Sequence, residues 1–207
     1  MSQITIRRVL ISLADKSGLE QLLQGLAAFA IEVYSTGGTY VAIQKWLEQH
    51  PSQLTLIRLE DYLNYPEMPG GLVKTLHPRV HGGLLAEAGN QAQLEHMQEQ
   101  GMVEFDLLAV NLYPFEETVA KGGGLEACRQ QIDIGGVAML RAGAKNFGRV
   151  AVLSRPQDYA TTLQELAHEG TLGATTRLNL ARIAFQQVLA YDQAISQYFD
   201  ALEEVPC

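Results

Sequence analysis

"IEVYSTGGTY", residues 31–40, places a strand, a tight turn and the start of a helix in ten consecutive positions. Ile31 to Ser35 is a short apolar run bounded by a turn and reads as a buried strand. Thr36-Gly37-Gly38-Thr39 follows at once, and Val41, Ile43, Trp46 and Leu47 continue as a helix. On the N-terminal side, Arg8 to Ser12 reads as another buried strand. Asp15-Lys16-Ser17-Gly18 then turns into a helix whose Leu19, Leu22, Leu23, Leu26 and Phe29 share one face. Leu54 to Ile57 is a third strand. The alternation βαβαβ predicts an α/β fold, a parallel sheet with helices on both faces. Sheets of that kind bind ligands at the carboxyl ends of their strands.

Residues 61–90 break this rhythm, being rich in proline and glycine with little periodicity. A long irregular stretch in a compact domain is usually functional or disordered, and its apolar and aromatic content argues against disorder. Order resumes with a helix near 91–100 and a buried strand, Asp106 to Asn111, ending in Leu112-Tyr113-Pro114-Phe115. Leu125 to Gln131 reads as a short helix, Gly135-Gly136 opens another running through Lys145-Asn146, and Arg149 to Leu153 is the last strand. Residues 156–169 and about 173–203 read as helices. The final one carries Leu180, Ile183, Phe185, Val188, Tyr191, Ile195 and Phe199, which pack on the body or on a partner.

Composition narrows the function classes. The chain has 207 residues, a length that suits one large domain or a domain plus an appendage. A net charge of −8 argues against a general nucleic-acid or membrane-surface role, leaving room for a local basic site. The two cysteines, Cys128 and Cys207, are far apart, which suggests a reducing, cytoplasmic setting without a disulfide framework. No apolar run reaches the roughly 18 residues of a membrane span, and MSQITIRRVL lacks the apolar core of a signal peptide.

Four motifs carry chemistry, each with a plainer reading beside it. Ser35-Thr36-Gly37-Gly38-Thr39 follows a strand and opens a helix, so its N–H groups could hold a phosphate. Alternatively it is an ordinary turn with a threonine cap. Ser12 and Lys16, after the first strand, fall at the same sheet edge and favour the anion reading. His77 and His81 have the i, i+4 spacing of metal ligands. Pro78 disfavours helix at His77, no carboxylate or cysteine completes a set, and structural histidines are preferred. In Gln131-Ile132-Asp133-Ile134-Gly135-Gly136 the aspartate is a helix cap, or a proton acceptor beside exposed amides that hold an oxyanion. Lys145 could simply complement the helix dipole, and Tyr113 could be core or a proton donor.

Taken in order and spacing, S-T-G-G-T, P-E-M-P-G-G-L-V-K-T-L-H-P-R-V-H-G-G, V-N-L-Y-P-F, I-D-I-G-G, A-K-N and the tail F-Q-Q-V-L-A-Y-D-Q-A-I-S-Q-Y-F resemble one family. This is the IMP cyclohydrolase domain of the bifunctional purine-biosynthesis enzyme that also carries AICAR transformylase. The similarity runs from about Val9 to Phe199. It implies a fold like methylglyoxal synthase, a purine nucleotide substrate, a homodimer, and a dehydrative ring closure needing no cofactor and no metal. In that reaction the carboxamide nitrogen of a formamido-imidazole-carboxamide ribotide attacks the formyl carbon, and water leaves to give IMP. A weak nucleophile, a developing oxyanion and a departing hydroxyl call for a base, donors and an acid, each contributing about 10²-fold to 10⁴-fold.

By resemblance, Lys74, Tyr113, Asp133 and Lys145 match the catalytic set. Asp133 would accept or position the carboxamide proton, Lys145 and the amides near Ile134-Gly135 would hold the formyl oxygen, and Lys74 and Tyr113 would orient substrate and supply protons. Ser12, Lys16, Thr36, Gly37, Gly38, Thr39 and Thr75 match the phosphate and ribose region, with Asn111, Ile134 and Gly135 completing the substrate-binding set.

Three departures stand out. Leu72 occupies the place of an arginine, whose bidentate phosphate contacts a leucine cannot replace; Arg79, Arg141 or a partner's arginine would have to compensate. Ala14 stands where a serine is usual. The chain ends at Cys207, and the motif that opens the transformylase domain is absent, so residues 1–207 read as a single cyclohydrolase-like domain with a helical part at 155–204. It would be a stand-alone cyclohydrolase or a truncated form, and is not expected to transfer formyl groups. The alternatives are a nucleotide- or phosphometabolite-binding regulatory module without turnover, an altered cyclisation on a substrate lacking the phosphate, and methylglyoxal synthase itself.

Overall fold

The computed structural model describes residues 3–65, 68 and 72–202. Pro66, Glu67, Pro69, Gly70 and Gly71 of the expected nucleotide segment, and position 203 at the end of the expected last helix, lie outside them. The elements in chain order are β1 (Arg8–Leu13), α1 (Leu19–Leu26), β2 (Glu32–Ser35), α2 (Gly37–Leu47), β3 (Thr55–Arg58), α3 (Leu59–Leu63), α4 (Pro78–Leu85), α5 (Gln91–Glu99), β4 (Leu107–Asn111), α6 (Phe115–Ala120), α7 (Leu125–Gln130), α8 (Gly135–Lys145), β5 (Ala151–Leu153), α9 (Tyr159–Glu169) and α10 (Ala174–Asp200).

The five strands form one sheet, β3-β2-β1-β4-β5, and every pairing is parallel. Alternate side chains of a strand point to opposite faces, and the burial follows that rule. Val9, Ile11, Val33, Leu107, Ala109 and Leu153 join one apolar cluster with α1 and α9. Leu10, Tyr34, Leu108, Val110 and Val152 join another with α4, α8 and α10. Both faces are therefore covered, as an all-parallel sheet requires. The chain winds from β1 to β3 on one side, then returns to place β4 on the other side of β1. That reversal opens a crevice at the carboxyl ends of β1, β2 and β4.

The structure corrects the expectation at 61–90. Pro78 takes the first position of α4, where its missing N–H costs nothing, and the preceding His77 is extended and accepts the Arg79 N–H on its ring at 3.1 Å. As expected, Pro78 keeps His77 out of a helix, and it also starts α4. The short helices α3 and α6 are also additions, each too brief to show periodicity. On α2, Ile43 is buried as expected but Val41 lies on the outer face.

Candidate active site

A cavity of about 810 Å³ opens at the carboxyl edge of the sheet. Ser12, Lys16, Thr36, Gly37, Gly38, Thr39, Lys74, Thr75, Asn111, Tyr113, Asp133, Ile134 and Gly135 all line it. Every site residue expected from sequence is there except Lys145. Met68, Leu72, Val73 and Leu76 add an apolar wall that the sequence reading did not anticipate.

One end of the cavity suits an anion. The Thr36 hydroxyl donates to Glu60 and makes no cap, so the first-turn amides of α2 are left without a side-chain partner from that position. Those amides carry the positive end of the helix dipole. Two ammonium groups stand over this turn. A Cβ added to Gly37 would lie 3.3 Å from Lys74 Nζ, and one added to Gly38 would lie 3.7 Å from Lys16 Nζ. Gly37 also has φ of 54°, a left-handed backbone that glycine adopts without strain. The loop bearing Lys16 is held from two directions. Thr39 Oγ1 accepts the Leu13 N–H and donates to the Leu13 carbonyl, both at 3.0 Å. Asn111 Oδ1 accepts the N–H groups of Ala14 at 2.7 Å and Asp15 at 3.1 Å, and its Nδ2 donates to Asp15 O at 2.5 Å. Thr39 and Asn111 thus shape the site through the loop, with their polar groups engaged there.

The other end is built for proton transfer. Asp133 precedes α8, and its Oδ1 accepts the Gly136 N–H at 2.7 Å. Burial pushes its carboxyl above the usual range, opposed by hydrogen bonds from the main chain of Gly136 and Tyr113. The amides of Ile134 and Gly135, at the start of α8, sit beside it at the cavity wall. Both glycines are sterically demanded. A Cβ on Gly136 would come within 2.5 Å of Asp133 Oδ2, and one on Gly135 would collide with Thr75 Oγ1.

Lys74 and Thr75 connect the two ends, the lysine reaching α2 and the threonine reaching α8. Behind them, the half-buried His81 ring hydrogen-bonds the Thr75 main chain, and burial lowers its pKa. Ahead of them, Val73 has φ of 54°, an unfavourable backbone for a β-branched residue and of a kind that concentrates at functional sites.

A family model described as the MGS-like domain matches residues 18–138. The chain belongs to the MGS-like domain family. A second model, described as AICARFT/IMPCHase bienzyme, matches residues 143–206. The chain is 47% identical over 204 residues to the bifunctional purine biosynthesis protein PurH of Dinoroseobacter shibae, covering 98% of this chain and 37% of that protein. It is 46% identical over 203 residues to the PurH of Bradyrhizobium diazoefficiens, with 97% and 37% covered. It therefore spans little more than a third of the length of these relatives. The crystal structure of ForH superposes with a TM-score of 0.77 at 33% identity, covering 94% of this chain and all of that one.

Within this MGS-like chain, several expected residues take other positions. Lys145 ends α8, exposed, at the far end from Gly135. At 1.5 Å per residue the helix puts it about 15 Å away, so one protomer's cavity does not include it. Its neighbour Asn146 is scaffold, donating to the carbonyls of Leu84 and Ala86 at 2.8 Å. Neither arginine expected to offset Leu72 lines the cavity: Arg79 donates to Tyr62 O at 2.7 Å, and Arg141 lies over the Phe185 ring. Tyr191 is the residue that sequence reasoning missed. Expected only as an apolar position on α10, it bonds to the main chain on either side of Ile132. Its appearance next to Asp192 in the tail motif gave no hint of that.

Proposed function

We propose that the protein is an IMP cyclohydrolase, closing the six-membered ring of 5-formamidoimidazole-4-carboxamide ribotide with loss of water. The observation that carries this reading is the shape of the cavity at the carboxyl edge of the sheet. Two ammonium groups and a helix N-terminus stand at one end, and a half-buried carboxylate beside first-turn amides stands at the other. In this reading Lys16, Lys74 and the amides of α2 hold the phosphate, and Ser12, Thr36 and Thr75 face the ribose. The carboxamide nitrogen attacks the formyl carbon as Asp133 takes its proton. The formyl oxygen gathers charge against the Ile134 and Gly135 amides and takes up the proton that Asp133 carried. Tyr113, half-exposed at the rim, delivers a second proton as the hydroxyl leaves as water and regains one from the formamide nitrogen as the ring C=N bond forms. A carboxylate whose pKa burial has raised is a stronger base than an ordinary one. The kinship with PurH supports the same reaction. The test is an absorbance assay with purified protein and the formylated ribotide, without added metal or folate. IMP is expected, and its absence rejects the proposal.

Residues 1–207 would act as one catalytic unit, in which α9 and α10 pack on the sheet. A homodimer fits the outer face of α10, where Phe185 is 40% exposed and Leu189 66% exposed one turn apart. A cytoplasmic setting fits the buried, unpaired Cys128. Among the described residues no helix is long and apolar enough to cross a membrane.

A second reading is favoured by Leu72 in the cavity wall and by Lys145 outside it. It is a nucleotide- or phosphometabolite-binding module that does not turn over. Calorimetry showing tight binding of a nucleotide with no IMP formed would select it.

A further inference from the structure

The Tyr191 hydroxyl is buried and makes two hydrogen bonds to one short turn. It donates to the Gln131 carbonyl and accepts the Asp133 N–H at 2.9 Å. The turn runs from the end of α7 to the start of α8, and no helix of its own holds it. Tyr191 belongs to α10, 58 residues further along the chain than Asp133. The ring is fixed by its neighbours: it sits in the apolar cluster with Phe115 and Cys128, edge-on to Phe115 with centroids 6.3 Å apart. A rigid helix thus holds the main chain of the residue whose carboxylate faces the cavity.

We propose that Tyr191 is a positioning residue for Asp133, setting where that carboxylate stands relative to the substrate; this rests on the cyclohydrolase reading above. The hydroxyl is not placed to exchange protons with substrate, because both its bonds go to main-chain groups and it does not line the cavity. It acts through Asp133. With the Asp133 nitrogen anchored, the carboxylate accepts the Gly136 N–H at 2.7 Å at the wall of the cavity that Asp133 lines. Release of the anchor lets the turn shift, and a displacement of this kind costs rate more than binding.

The experiment compares Tyr191→Phe with Tyr198→Phe. Tyr198 packs edge-on against the same Phe115 ring, centroids 5.7 Å apart, and its hydroxyl is turned to Cys128. Tyr191→Phe is expected to lower kcat about 10-fold to 100-fold, leave KM within about threefold and move the acidic limb of the kcat–pH profile. Tyr198→Phe is expected to leave all three near wild type. Equal effects from the two variants, or an unchanged kcat in folded Tyr191→Phe, overturn the proposal. Hydrogen exchange of the Asp133 and Gly136 amides reads the anchor without any turnover. Both are expected to exchange at least tenfold faster in Tyr191→Phe, and unchanged protection also overturns it. Should wild type form no IMP while these amides still respond, the cyclohydrolase reading fails and the anchor stands. If Tyr191→Phe does not fold, 3-fluorotyrosine at this position keeps the shape and weakens the acceptor. The Asp133 amide must then exchange faster, or the proposal falls.

Discussion

The Oδ1 atom of Asp133 lies 2.7 Å from the main-chain nitrogen of Gly136. One side chain therefore closes the first turn of α8 and presents a carboxylate to the cavity. The capping and the chemical readings of this residue are compatible, because the residue that caps the turn also lines the cavity.

Burial raises the Asp133 carboxyl above its ordinary value. The folded chain thus holds that proton more firmly than the unfolded chain. The stabilising contribution is complete below the unfolded pKa and is lost as pH rises through the folded one. At neutral pH the ionised group weighs against folding. Asp133→Asn is expected to melt at the same or a higher temperature at pH 7 while kcat falls roughly 10²-fold to 10⁴-fold. In wild type, the acidic limb of the rate profile should lie above the usual aspartate range. A melting temperature that drops with activity would mean that the charge holds the turn together.

Gly135 and Thr75 are in such close approach that no β-carbon fits between them. Gly135→Ala is expected to cost about 1–3 kcal/mol by overpacking and to slow turnover. Removing the obstructing hydroxyl in Gly135→Ala/Thr75→Ala should recover part of the stability, a coupling that chemical denaturation of the four variants can measure. Strict additivity would argue against the contact.

Lys16 and Lys74 stand over the same helix turn. Each alanine variant is expected to weaken inorganic phosphate, used as a competitive inhibitor, by roughly tenfold or more. Raising ionic strength should erode the wild-type affinity in the same direction. Phosphate inhibition that neither lysine changes would remove the anion end from the proposed site.

Asn111 donates to and accepts from the loop after β1 with both ends of its amide. Asn111→Leu leaves those main-chain groups without partners and is expected to cost about 1–3 kcal/mol, with KM for the ribotide rising more than kcat falls. The signature to look for is faster amide exchange at Ala14 and Asp15.

The parallel sheet was legible because its strands are apolar runs punctuated by turns, as in Arg8 to Ser12 and Ile31 to Ser35. Residues at the ends of those strands converge for the same reason, since parallel strands share one carboxyl edge. Pro78 was read rightly as keeping His77 out of a helix, but that a proline also favours the first position of one, so that α4 begins there, was not drawn from the sequence. Lys145 was grouped by likeness with Gly135, ten helical positions away, and only the helical span of α8 reveals the separation. Tyr191 was invisible because its hydroxyl meets a turn 58 residues earlier, and helical periodicity reports burial without reporting bonds.

The bond from Asn111 to Ala14 bridges 97 positions of chain, and that from Tyr191 to Asp133 bridges 58. Contacts so distant along the chain close late, since a long loop must be ordered before they form. The binding crevice is therefore tied to the β1–β4 pairing, in which Val9 faces Leu107 across a comparable stretch of chain. Phosphate affinity should be lost together with the sheet as urea rises, making it a reporter of the whole fold rather than of a separate local step.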